Sequence, residues 1–191
     1  IVGRYSTVGL AALVLGTTIF FIIFIFGAGF SFAAMALVST ANTEGNTLKI
    51  RRITRMALWL SLIFGFLVSP FFVFSEKLLL LLGQELNLAV LASEYLIYSG
   101  IAIFPALSSS VLRCYLAGME YVKVTFYISI IAVLLNILIN YLLVFGMFGL
   151  PEFGIVGAGI ATVFVNLFML ISFVIYAKIK LPQHKLFVRF W

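Results

Sequence analysis

Two asparagines, Asn136 and Asn140, lie four residues apart within the apolar run LLNILINYLLVFG. Residues four apart share one face of a helix, so these two amides are expected to lie side by side. A buried amide without a hydrogen-bond partner is costly in a hydrocarbon medium. Both side chains must therefore face protein or water rather than lipid.

These amides have two interpretations. They can hold helices together, at about 0.6 kcal/mol per interhelical hydrogen bond, or they can form a coupling site for a sodium ion or a proton. Amide oxygens are hard ligands suited to sodium, and the hydroxyl of Thr162 could add a further oxygen. Neutral oxygens alone bind a monovalent cation weakly, so a carboxylate should be near. The chain has no aspartate and places its glutamates in connectors or at helix ends, so the residues leave both interpretations open.

Other chemistry is poorly supported by the residue types. The chain has one histidine, His184, and one cysteine, Cys114, which cannot form an ordinary metal site or an internal disulfide. The serine run Ser108 to Ser110 has no histidine and carboxylate with it inside the membrane, so a hydrolytic triad is not supported. We expect no enzyme and no bound organic cofactor, and we expect His184 to be solvated in a basic tail.

The composition predicts a polytopic membrane protein. Hydrophobic residues make up 64% of the chain, charged residues 9%, and the mean hydropathy is +1.26. A soluble domain carries roughly 25% charged residues. The net charge of +6 is explained by basic residues at inner membrane ends, where they contact lipid head groups. The expected partner is therefore the lipid bilayer and not a nucleic acid.

Five apolar runs are each long enough to cross a bilayer. The first run could be a hairpin bent at Gly27–Gly29, but its second half becomes polar too soon, so we expect one long helix. The short run Leu78–Leu82 cannot cross and is expected at the interface. The sequence predicts an all-α, polytopic transmembrane helical bundle. Its spans are about 8–38, 56–74, 88–112, 124–145 and 155–177, followed by a tail at 178–191.

The basic residues predict the orientation. If the five helices alternate, only Arg4 and Lys77 fall on one side, and all the other lysines and arginines fall on the opposite side. By the positive-inside rule the basic loops and the carboxyl end are cytoplasmic in a multi-pass protein of the cell membrane. The first span then starts outside, and a protein with a cytoplasmic amino terminus would need one more helix ahead of Ile1. We therefore interpret the chain as a fragment.

Small residues recur at spacings of four in the first and last spans. Such spacing lets two helices approach closely, so helix packing is the expected role. The sets are Gly154, Ala158 and Thr162; Gly157 and Ala161; and Gly29 and Ala33.

Three stretches, in order, resemble the multidrug and toxic compound extrusion (MATE) transporter family. They are residues 2–46, residues 78–120 and, most specifically, LLNILINYLLVFGMFGLPEFGIVGAGIAT at 134–162. The resemblance implies that residues 1–191 are a partial amino-terminal lobe, with five spans of a six-helix lobe and the first helix missing. It also implies a second lobe, related by pseudo-symmetry, around a central cavity.

The resemblance also implies roles for residues. Helix five of the family carries an asparagine and, four residues on, an aspartate or asparagine, and helix six carries a threonine. These positions match Asn136, Asn140 and Thr162, and the asparagine at 140 resembles the NorM-like branch. The first helix of the family carries a membrane aspartate, so the sodium or proton site would be incomplete without that helix.

The implied function is secondary-active export of small organic cations in exchange for sodium or protons, by alternating access. The partners would be the remaining helices of the same protein, namely the first helix and the second lobe. One alternative is a flippase for a lipid-linked carrier, of the same superfamily, which should carry cationic residues facing its cavity. Here the basic residues fall at helix ends or in loops, which favours the exporter. The other alternative is a non-transporting membrane scaffold.

Overall fold

The computed structural model describes residues 7–146, 151–184 and 186–187, and within them every regular element is helical. Five helices are long and apolar enough to cross a membrane, which confirms the all-α transmembrane fold. The elements are α1 (Thr7–Thr43), α2 (Thr47–Val73), α3 (Ser75–Leu81), α4 (Leu86–Gly118), α5 (Val122–Phe145), α6 (Gly154–Lys180) and a 3₁₀ turn (Pro182–His184).

The first span is one continuous helix of 37 residues and not a hairpin. Its backbone passes through Gly27 and Gly29 without a break, because Gly27 is pressed against Leu107 and Phe64 of two neighbouring helices. At about 1.5 Å per residue the helix is roughly 55 Å long, which exceeds a hydrocarbon core of about 30 Å. The polar end at Thr43 therefore projects beyond the apolar region.

Several helices extend beyond the apolar runs that predicted them. The clearest case is α2, which begins at Thr47 and not near residue 56. Asn46 caps it, since its Oδ1 accepts a hydrogen bond of 3.0 Å from the backbone N–H of Lys49. Lysine and arginine are good helix formers, so the basic segment continues the helix although its hydropathy is low.

The most deeply buried span is α4, which packs against α1, α2, α3 and α6. Glycines allow its neighbours to come close, because a Cβ at Gly100 would lie 2.6 Å from Cβ of Phe72. A Cβ at Gly118 would lie 2.9 Å from the carbonyl oxygen of Met35. The short helix α3 rests on α4 through the buried Leu79.

The small residues of α6 pack as predicted. A Cβ at Gly157 would lie 2.9 Å from the backbone carbonyl carbon and oxygen of Leu143, so α5 and α6 meet backbone to backbone. Within the described residues Gly29 and Ala33 do not form a tight helix contact. A Cβ at Gly29 would meet nothing within 4 Å, and Ala33 is exposed at a groove that α1 forms with α2.

Replacing Gly157 with alanine should destabilise the protein, because the added methyl group meets backbone that cannot rotate away. We expect a loss of about 1–3 kcal/mol, typical of an overpacked interior. The matched control is Gly29→Ala, where the space is open and the better helix propensity of alanine should leave stability equal or slightly higher. Thermal unfolding in detergent measures both, and equal losses in the two variants would contradict the packing described.

Candidate functional site

Asn136 and Asn140 lie on a polar stripe of α5 that faces α6. The stripe follows helical spacing and ends at Leu143, the residue that touches Gly157. Its members are buried or half-buried, whereas neighbouring positions such as Ile137 and Leu138 are more than half exposed. The amides therefore avoid the apolar exterior of the bundle. The stripe consists of Thr125, Ser129, Ala132, Asn136, Asn140 and Leu143.

The two amides are linked within their own helix. The Nδ2 of Asn140 donates to the backbone oxygen of Asn136 at 2.8 Å and to its Oδ1 at 3.1 Å. Among the described residues, neither amide forms a hydrogen bond to another helix. The structure therefore shows no hydrogen bond by which these amides would hold α5 to a neighbouring helix. The Oδ1 of Asn140 can still accept a hydrogen bond or contact a cation.

Thr162 lies at the same depth as the two asparagines. Because α5 and α6 run antiparallel from the contact of Leu143 with Gly157, Asn140 lies opposite about position 160 and Asn136 opposite about position 164. The depth of Thr162 falls between them, within roughly 3 Å along the helix axis. Thr162 is five residues beyond Gly157, however, so it lies about 140° around α6 from the face that meets α5. Its Oγ1 donates to the backbone oxygen of Ala158 at 2.9 Å, which leaves its lone pairs free to accept.

Thr162 lies next to a small pocket that the sequence did not predict, through its helix neighbour Asn166. On α6 it shares a face with Asn166, whose Nδ2 donates to the backbone oxygen of Thr162 at 2.8 Å. Asn166 lines a pocket of about 90 Å³ between α1, α4 and α6, which is large enough for water. The Oγ of Ser110, also at this pocket, is buried without a hydrogen-bond partner. The lining is Phe24, Ala106, Ser109, Ser110, Arg113, Asn166, Met169 and Phe173.

The described residues supply neutral oxygens but no carboxylate at this depth. All six glutamates are exposed, in connectors or near helix ends, and the described part of the chain has no group of three His, Cys, Asp or Glu residues that could hold a metal. Three neutral oxygen groups suit sodium by type but compensate its charge poorly. The arrangement fits a cation only if another helix brings an acidic group.

His184 is not solvated, and that expectation was wrong. Its side chain is 3% exposed, and its Nδ1 forms a hydrogen bond with the hydroxyl of Tyr115 on α4. The cause is the apolar residues around it, since Leu181 and Leu186 are buried in a cluster with α2 and α4 and carry the histidine inward. The spacing of these leucines in KLPQHKLF was the signal available in the sequence.

Comparison with known proteins gives one family. The family model MatE matches residues 1–142. Proteins named "Probable multidrug resistance protein NorM" are 41% identical in Rhizobium meliloti (strain 1021) and 39% identical in Agrobacterium fabrum (strain C58 / ATCC 33970). Each alignment covers 100% of this chain but only 41% and 42% of the relative. The chain thus spans about two-fifths of the length of these relatives.

Solved structures give the same fold. An inward-facing multidrug resistance MATE family transporter of the MOP superfamily matches with a TM-score of 0.83, over 96% of this chain and 41% of its own. A eukaryotic MATE transporter matches with a TM-score of 0.88, over 97% and 41%. Sequence identity is 19% in both cases, so these likenesses show the fold alone.

Removing the amide of Asn140 should change stability little, because its hydrogen bonds lie within one helix. We expect Asn140→Ala to lower the free energy of unfolding by less than about 1 kcal/mol. Thermal unfolding in detergent, with Asn166→Ala as a second variant that loses an intrahelical amide bond, measures this. A loss of several kcal/mol in Asn140→Ala alone would show that the amide holds helices together.

Proposed function

Since this chain belongs to the MATE family, in its NorM-like branch, we propose that it forms part of one lobe of a secondary-active multidrug exporter. Support comes from the match over residues 1–142, from relatives named as multidrug resistance proteins, and from five apolar helices in a MATE fold. The observation that carries the proposal is the polar stripe of α5, which holds Asn136 and Asn140 away from lipid at the depth of Thr162. The same family membership argues against an enzyme.

We propose that Asn136, Asn140 and Thr162 take part in binding the coupling cation. If the cation is sodium, their oxygens are its ligands. If it is a proton, a carboxylate from another helix of the whole protein carries it, and the amides and the hydroxyl orient that carboxylate by hydrogen bonds. In both cases the described residues lack the acid, so the remaining helices are required partners.

Coupling requires that the cation bind two conformations of the lobe with different affinity. The contact between Leu143 and Gly157 gives a physical route, because backbones this close cannot slide independently. A cation that draws the oxygens of α5 and α6 together favours one arrangement of the pair. Its release favours another, and the substrate, a small organic cation, leaves in exchange.

The position of the basic residues favours an exporter over a flippase for a lipid-linked carrier. Among described residues, lysines and arginines lie in connectors or toward helix ends, and Arg113, which lines the pocket at Asn166, is near the end of α4. A phosphate-carrying substrate would need cations within the cavity. A non-transporting scaffold remains the alternative from another class, and the flux experiment below separates it from the exporter.

Efflux of a cationic dye from vesicles tests the coupling site. With the purified whole protein and an imposed sodium or pH gradient, we expect gradient-driven efflux in wild type. Asn136→Ala, Asn140→Ala and Thr162→Ala should each reduce it at least tenfold, because each removes an oxygen that contacts the cation or orients its carboxylate.

The matched control for the efflux experiment is Ser129→Ala. Ser129 lies on the same stripe and donates to the backbone oxygen of Thr125 at 2.7 Å. Its replacement by alanine therefore also removes a half-buried polar group from α5, but away from the proposed site. We expect efflux by this variant to remain near wild type. Wild-type coupling in all three site variants would remove the proposed site, and absence of gradient-driven efflux in wild type would favour the scaffold.

The orientation proposed for the chain places the basic connectors and the end of α6 in the cytoplasm. Single cysteines introduced at Lys180 and at Glu85, both exposed, with Cys114 replaced by serine, report on the two ends of the bundle. In right-side-out vesicles an impermeant maleimide should label Glu85→Cys at once and Lys180→Cys only after permeabilisation. The reverse pattern would overturn the orientation.

A further inference from the structure

We propose that His184 and Tyr115 form a proton-sensitive contact that docks the post-α6 segment onto the basic end of the bundle. Here the post-α6 segment means residues 181–184 and 186–187. Protonation of His184 releases the segment, and deprotonation docks it again. The inference goes beyond the proposed function, because it requires neither a particular substrate nor the site on α5.

The segment is held by packing and by specific bonds. Leu181, His184 and Leu186 are each at most 4% exposed. The Nε of Arg55 on α2 donates to the backbone oxygen of Leu186 at 2.9 Å. The ammonium of Lys178 lies 5.5 Å from the centre of the Phe187 ring. A connector that merely left the membrane would bury none of these groups.

The hydrogen bond to Tyr115 is the part that can sense a proton. In neutral histidine, Nδ1 can accept the hydrogen of the tyrosine hydroxyl. In the imidazolium both ring nitrogens are donors, so Nδ1 can no longer accept. The hydroxyl must then turn to offer a lone pair, and a positive charge sits at a position that excludes water. Packing against Leu181 and Leu186 leaves little room for water to solvate that charge.

Among the described residues, the surroundings give the imidazolium no anionic partner. The elements packed against the turn are α2, α4 and α6, and α2 and α6 contain no acidic residue. The acid of α4, Glu94, is near its opposite end, and Glu44 and Glu120 are exposed in connectors, with Glu44 paired to Lys49. Besides these glutamates, the charged and titratable groups of this end, among the described residues, are Lys49, Arg51, Arg52, Arg55, Arg113, Cys114, Tyr115, Tyr121, Lys123, Tyr176, Lys178 and Lys180.

The direction of the pH effect follows from burial. Burial lowers the pKa of His184 below its ordinary value of 6.5. The docked segment therefore binds fewer protons than the released one, and docking becomes more favourable as pH rises. Docking is complete above about pH 6.5 and weakens as the pH falls through the interval between the released and docked pKa values.

Distances between spin labels test the contact in the purified whole protein, in a background without other cysteines. The test pair is Gln183→Cys with Leu48→Cys, which joins the turn to the start of α2, both exposed sites. The reference pair is Lys180→Cys with Leu48→Cys, which joins α6 to the same point. Between about pH 8 and pH 5, the test pair should change from a narrow distance distribution to a broad one, while the reference pair stays narrow.

Two substitutions assign the change to this contact. His184→Asn keeps a hydrogen-bond acceptor near the position of Nδ1 but does not titrate, so the test pair should stay narrow at both pH values. Tyr115→Phe removes the donor that favours neutral histidine, so its release should occur at higher pH than in wild type. An unchanged distribution in wild type at pH 5, or an equal release in wild type and His184→Asn, would overturn the proposal. An unshifted midpoint in Tyr115→Phe would do the same.

Discussion

The backbone contact between α5 and α6 is the constraint on which the candidate site depends. Because Gly157 has no side chain, its helix comes close enough to Leu143 for a Cβ to meet the carbonyl group there. This single approach sets the register of two antiparallel helices. It sets Thr162 at a depth similar to that of Asn136 and Asn140, and all three side chains are half-buried. Small residues on α6 thus set the geometry of the candidate site, although they carry no chemistry themselves.

The polar groups at that depth meet many of their hydrogen-bonding needs inside single helices. Asn140 bonds to Asn136, Thr162 to Ala158, and Asn166 to Thr162. Such local bonds lower the free-energy cost of burying polar side chains in a membrane, and they leave oxygen lone pairs for a further partner. A bound cation would still need a negative charge to neutralise it, and the described residues place no carboxylate at this depth. A cation site here therefore has to be shared with another part of the whole protein.

Much of the fold could be predicted from the sequence, because apolar runs of this length have few alternatives in a bilayer. The continuous helix α1 followed from the early polarity after Phe30. The start of α2 did not, because hydropathy marks lipid contact and not the cap at Asn46. The open face at Gly29 was missed because small-residue spacing shows where helices can approach and not which partner arrives. The burial of His184 was missed because it depends on leucines packing against distant α2 and α4.

Direct binding of sodium tests the central claim, that the amide face of α5 takes part in holding the coupling cation. Radioactive sodium binding to the purified whole protein should saturate and should be displaced by lowering the pH. The double variant Asn136→Ala with Asn140→Ala should bind at least tenfold more weakly, whereas Ser129→Ala should bind as wild type does. If wild type binds no sodium, proton release on addition of a cationic substrate is the corresponding signal. Equal binding or equal proton release in the double variant and wild type would contradict the account.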